Sequence, residues 1–187
     1  AVLWSNSGYK VAVIDADPQK SLSFWLSERK KYYGEDDIGI DFYQFDIRQL
    51  FDEIKKIKRK YDFIIIDSPP AITFETIQII KVSNGIFVPV QPSPLDLMAT
   101  LPFLQIARDE RKKPLIILNR VMPRAKLTDA MILRLRYSGA KIARSRISSK
   151  VIFAESFAVG RGVIDINVTS DAAKEIINVG NEILRNL

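Results

Sequence analysis

Two stretches of this chain, VAVID at 11–15 and FIIID at 63–67, run through four consecutive apolar residues and stop at an aspartate. The first is rich in β-branched residues and bounded by Gly8 and Pro18. Such a run suits a strand buried on both faces, as the strands of parallel sheets are. Further apolar runs at 40–45, 85–90 and 114–119 read as strands of the same kind. Helical patterns fill 20–33, 48–60, 73–82 and 95–112 between them, and around the second Ile47, Leu50, Phe51, Ile54 and Ile57 share one face. Past Arg120 the pattern predicts a helix over 127–138, a strand over 140–144, a helix over 150–158 and a last helix from Ser170. That helix has Ser170 and Asp171 at its start and Ile176, Ile177, Val179, Ile183 and Leu184 as its stripe. Alternation of strand and helix dictates an α/β architecture: a doubly wound, mostly parallel sheet with helices on both faces.

A chain of 187 residues with 47% hydrophobic content can bury a sizeable core, so a single domain over 1–187 is expected. The sequence has no Cys and no His. Disulfides, zinc ribbons and iron–sulfur clusters are thereby excluded, and so are the usual general base and every triad that needs one. Any hydrolysis must rest on carboxylates, a metal and positioning. No apolar run approaches the roughly 20 residues that span a bilayer.

Net charge is +6 and unevenly placed. Residues 1–100 carry 12 Lys/Arg against 14 Asp/Glu, or −2, and residues 101–187 carry 16 against 8, or +8. From Arg120 to Arg161 there are ten basic residues, Arg120, Arg124, Lys126, Arg134, Arg136, Lys141, Arg144, Arg146, Lys150 and Arg161, against Asp129 and Glu155. A charge run is also what a solvated face looks like, but a sign asymmetry between halves makes a polyanion partner reasonable.

The acids carry the chemistry. Asp15 and Asp17 project the same way from the carboxyl end of their strand, the end at which open α/β sheets bind ligands. Two like charges held together are costly unless a cation, a water network or a donor-rich ligand sits between them. Asp67 repeats the design before Ser68, Pro69 and Pro70. Magnesium, a hard cation, prefers carboxylate and water oxygens, so DxD and a strand-ending Asp together point to a magnesium–phosphate site. Neither GxxxxGK[ST] nor GxGxxG occurs in the 187 residues. The opening AVLWSNSG reads as the end of an amphipathic helix with Gly8 as its cap.

GYKVAVIDADPQKSLSFW, YDFIIIDSPP, GIFVPVQPSPLDLMA, IILNR and FAESFAVGRGVID follow one another in an order that resembles the ParA/MinD group of deviant Walker-A ATPases, most closely its small plasmid-partition branch. The resemblance implies a P-loop NTPase fold of the SIMIBI type. In that family GYKV follows a helix that begins at a Lys-rich loop, KGGxGKTT. It therefore implies that the domain is N-terminally incomplete, a strand and the Walker-A loop preceding Ala1, and that a chain beginning at Ala1 should not fold as a monomer of this class.

Carried over by position, Asp15 would lie in the outer shell of the magnesium, Asp17 would orient the attacking water, and Asp67 would be the Walker-B acid holding the metal through water. Asn119 and Arg120 match the position that reads the adenine edge. The segment QPSPLD, Gln91 to Asp96, matches a Pro-rich loop that helps pack subunits; on proline mechanics it reads equally as a rigid turn ahead of a helix. Arg144, Arg146, Lys150 and Arg161 are the candidates for DNA contact without sequence preference.

The resemblance thus implies a weak magnesium-dependent ATPase using ATP/ADP, active in the complete protein and cytoplasmic on the nucleoid. It would act in plasmid or chromosome partition, dimerising on ATP and possibly forming higher oligomers. It would bind DNA non-specifically and be switched by a centromere-binding, ParB- or ParG-like partner. Two alternatives stand beside it. One is a MinD-like positioner on membrane, which needs a basic amphipathic tail, whereas the last helix commits its stripe to the core. The other is a non-enzymatic DNA-binding scaffold without a phosphate loop, in which Asp15, Asp17, Asp67 and Asn119 would have no work to do.

Overall fold

A computed structural model describes residues 1–35, 38–45, 48–123 and 126–187. The chain divides into two compact units, 1–82 with 151–169 and 83–150 with 170–187.

The first unit is built on a parallel three-stranded sheet of order β2-β1-β3, with β1 Val11–Asp15, β2 Asp41–Tyr43 and β3 Phe63–Asp67. The central strand is buried at all five positions. Alternation sends Ile14, Ile64 and Ile66 to one face, where Leu50 and Ile57 of α3 (Leu50–Ile57) and Ile79 of α4 (Phe74–Val82) meet them. Phe63 points the other way, and Trp4 of α1 (Val2–Asn6) packs on its ring at 4.4 Å. Helix α8 (Val163–Ile166) packs on α1 and on α7 (Val151–Ala158), and α7 packs on α2 (Ser21–Tyr33), which completes this unit. Gly8, at φ +90°, ends α1 as its sequence predicts.

Two readings need correction here, and one residue of the stripe falls outside what is described. Phe51 does not join the buried face of α3; it is 52% exposed and carries the Lys55 ammonium 3.9 Å over its ring. Ile47 lies outside the described residues. Residues 63–66 of β3 are half-buried, not buried on both sides, because β3 is an edge of its sheet among the described residues. The four-residue α8 shows no hydrophobic period long enough to predict.

In the second unit, β4 (Phe87–Val90), β5 (Leu115–Val121) and β6 (Lys141–Ser148) form a parallel sheet of order β4-β5-β6. Ile116 and Leu118 face one layer with Leu97 and Leu104 of α5 (Pro94–Asp109) and Met131 and Leu135 of α6 (Lys126–Tyr137). Leu115 and Ile117 face the other, against Val179 and Ile183 of α9 (Asp171–Leu184). A sheet faced on both sides by helices is the α/β arrangement that the sequence dictates, and it recurs in each unit. Ser170 caps α9, accepting from the Ala173 N–H at 3.1 Å. Ser93 caps α5 with Pro94 in its first turn, and Asp96 folds back on the Gln91 N–H, so QPSPLD is a helix-starting turn.

The β6 strand runs to Ser148, beyond the predicted 144, because α9 supplies donors' partners along it. Glu182 accepts from the N–H groups of Arg144 and Ser145, both at 2.8 Å, and Glu175 accepts from that of Ser148 at 2.9 Å. Among the described residues no helix is long and apolar enough to cross a membrane.

Candidate functional site

Parallel pairing of β1 with β3 sets Asp15 directly beside Asp67 at the carboxyl ends of both strands. The backbone then turns sharply. Asp17 Oδ1 accepts the Gln19 N–H at 2.9 Å and the Asp17 carbonyl accepts the Lys20 N–H at 3.0 Å, with Pro18 fixing the turn between them. Lys20 takes a left-handed conformation, φ +55°, and α2 starts at once.

The three carboxylates differ in what is left free. Asp15 is 3% exposed, and both of its oxygens are engaged. Its Oδ2 accepts from Ser23 Oγ at 2.6 Å and Ser23 N–H at 3.0 Å, and its Oδ1 accepts from the Asp17 N–H at 3.2 Å. Three donors hold this carboxylate as a fixed charge. Asp17 is half-buried and has one oxygen in the turn and one outside it. Asp67 is exposed, and no described side chain or backbone group donates to its carboxylate. Desolvation by neighbouring groups, then the charges of Asp15 and Asp17, push the Asp67 carboxyl above its ordinary pKa.

This donor set fits magnesium. Among the described residues no three carboxylates stand close enough to cage an ion by themselves. Magnesium asks for no such cage: it is commonly bound by one or two carboxylates, waters and substrate phosphates. Asp67 has free oxygens in a negative field that a divalent cation would relieve, and Asp15 adds fixed negative charge behind it.

The base-reading candidates lie in the second unit. Asn119 sits near the end of β5, where the strand gains an extra residue relative to β6 between Leu118 and Val121. Arg120 accommodates that residue at φ +51°, and the Asn119 Oδ1 accepts the Arg120 N–H at 2.9 Å. Bulges of this kind re-aim side chains near sites, at a strain of about 1–2 kcal/mol for a non-glycine left-handed residue. The Asn119 amide nitrogen remains free to donate and its oxygen keeps a second lone pair.

The four DNA candidates separate. Arg144 and Arg146 are exposed on β6, and neither guanidinium has a hydrogen bond or ion pair among the described residues. Lys150 is held by Glu175 at 2.8 Å. Arg161 belongs to the other unit, where its guanidinium lies 4.8 Å over the Tyr32 ring and donates to the Asp165 carbonyl. Arg124 lies outside the described residues. Sequence reasoning missed Ser23, whose signal was its position two residues into the helix that follows DxDPQ.

A family model described as an AAA domain matches residues 36–117, a span that contains Asp67. The Maintenance of carboxysome distribution protein A of Halothiobacillus neapolitanus is 27% identical over 182 residues, covering 94% of this chain and 83% of that protein. The cell division ATPase MinD of Pyrococcus furiosus superposes with a TM-score of 0.78 at 19% identity, over 100% of this chain and 90% of the other. A putative plasmid partition protein from Borrelia burgdorferi bound to AMPPNP gives 0.76 at 18% identity, over 100% and 90%. In sequence and in fold the chain is similar to proteins of the ParA/MinD kind. The proteins it resembles are named for quite different tasks: carboxysome distribution, cell division and plasmid partition.

Proposed function

We propose that this chain is the switch domain of an ATP-dependent partition protein that dimerises on ATP, holds non-specific DNA and lets go on hydrolysis. The observation that supports this most is the side-by-side placement of Asp15 and Asp67, with Asp17 on the turn that follows. Asp67 would hold magnesium through water, and Asp15 would set the field behind it without ligating. Bound magnesium would neutralise charge on the phosphate oxygens of ATP. Asp17, through the oxygen outside its turn, would orient the attacking water. With no His in the chain, no strong base assists this step, and turnover is slow. Asn119 and Arg120 would read adenine, and the free guanidiniums of Arg144 and Arg146 would meet DNA phosphates. A centromere-binding partner would trigger release.

Light scattering and DNA retention of the full-length protein with magnesium and ATP, ADP or neither provide the test. The expected result is a dimer on DNA with ATP alone. A mass and a DNA affinity that ignore nucleotide would remove the reading. A second reading is favoured by the carboxysome-distribution relative: the same engine positioning a protein-shelled body in place of a replicon. Deleting the gene and scoring plasmid loss against the spacing of such bodies separates the two.

A further inference from the structure

A cleft of about 210 Å³ opens in the second unit between α6 and β6. Its floor is apolar, made by Leu118, Ile132 and Ile142, and three arginines stand around it: Arg136 from the last turn of α6, and Arg144 and Arg146 from β6. Ile142, Arg144 and Arg146 all line the cleft, along the stretch where β6 gains two residues on β5 between Ile142 and Arg146. None of the three guanidiniums has a hydrogen bond or ion pair among the described residues. Lysines on α2, α3 and α9, by contrast, have acids close by, as in Lys31–Glu28, Lys56–Glu53 and Lys174–Asp171.

Three unpaired planar cations around one small concavity repel each other, and the repulsion is relieved by an anion seated among them. Arg favours the bidentate geometry that carboxylates and phosphates offer. The floor narrows the choice. A duplex backbone brings phosphates but nothing apolar to cover Ile132 and Ile142, whereas a peptide carrying carboxylates beside an aliphatic side chain matches both parts of the cleft.

We propose that this cleft is a docking site for an acidic, aliphatic segment of a partner protein. The consequence rests on the DNA reading given above. Arg144 and Arg146 would serve both ligands, so the segment and DNA exclude each other, and partner engagement by itself would loosen DNA.

Fluorescence anisotropy of the full-length protein tests this with a labelled peptide of alternating Glu and Leu, its Gln/Leu and Glu/Ser counterparts, and a labelled DNA duplex. The expected result is binding of the Glu/Leu peptide, weakened about tenfold or more in either counterpart and in the Arg136→Gln, Arg144→Gln, Arg146→Gln variant. These side chains have no partner among the described residues to lose, so the variant should melt like wild type. Unlabelled Glu/Leu peptide should also displace the duplex. Equal binding of Glu/Leu and Glu/Ser peptides would overturn the proposal, as would an unaffected triple variant. A duplex that binds where no peptide does would overturn it and leave the DNA reading standing. If neither ligand binds, both fall.

Discussion

Replacing Asp165 by alanine should cost the first unit a large part of its stability. Asp165 and Arg29 form an ion pair at 2.8 Å with side chains only 6% and 5% exposed. Arg29 also donates to the carbonyls of Ile38 at 2.8 Å and Gly160 at 3.2 Å, and its guanidinium carbon lies 4.6 Å from the centre of the Tyr33 ring. In Asp165→Ala the guanidinium stays buried with two carbonyls and aromatic faces but no counter-charge. Breaking one side of a buried pair in this way costs about 3–5 kcal/mol. Against a total of about 5–15 kcal/mol for a domain, that is enough to move an unfolding midpoint clearly. The Gly162 N–H, 2.8 Å from Asp165 Oδ2, loses its acceptor as well. Asp165→Asn keeps an acceptor in place and should lose less, since neutral hydrogen bonds are weaker than charge-assisted ones. Urea unfolding followed by circular dichroism on the full-length protein measures both. The reasoning is refuted if Asp165→Ala loses under about 1 kcal/mol, or if Asn costs as much as Ala.

At the carboxylate site, Asp17→Ala should retain ATP binding and lose most hydrolysis, while Asp67→Ala should weaken magnesium-dependent binding itself; equal hydrolysis by wild type and Asp17→Ala removes the water-orienting role. Because the Asp67 carboxyl is raised in the fold, its ionised form opposes folding, and that opposition fades as pH falls through the raised value. Asp67→Asn should therefore raise the melting temperature of the nucleotide-free protein at neutral pH, with the gain shrinking toward acid; a gain that grows toward acid contradicts the assignment. Gly160→Ala should unfold the first unit or leave it barely stable in a thermal melt. Its φ of +67° disfavours any side chain, and a Cβ there would overlap the Arg29 backbone.

Much of this architecture was legible because four apolar residues in a row, bounded by turn residues and ending in an acid, read as a strand. VAVID and FIIID fixed two strands to the residue, and their shared ending put Asp15 and Asp67 in register. What periodicity could not supply was each strand's place in its sheet. FIIID reads like VAVID, yet β3 is half-buried as an edge and β1 fully buried as a centre. The extent of β6 was equally hidden, since its N–H groups are satisfied by Glu175 and Glu182, more than twenty residues later in the chain. Phe51 went astray for a different reason: a helical stripe marks a direction, and an aromatic ring at its margin can lie under a lysine as readily as in a core.

The site shows the same limit at finer grain. From sequence, Asp15 and Asp17 are a matched pair and Asp67 a third acid of the same kind. In the fold they divide the work by what holds them. Ser23 presents both its hydroxyl and its backbone N–H to one oxygen of Asp15, and the Asp17 N–H takes the other, so Asp15 can supply charge but has little freedom to follow a ligand. Asp67 is the reverse: no described group donates to it, and burial with the charges of Asp15 and Asp17 raises its proton affinity, a negative field that a cation would relieve. The helix that delivers Ser23 is the one whose far half carries Arg29, clamped to Asp165 and to the Gly160 carbonyl. A single rigid element thus runs from the buried ion pair to the fixed carboxylate. Loosening the pair should therefore be felt at Asp15 even in variants that remain folded.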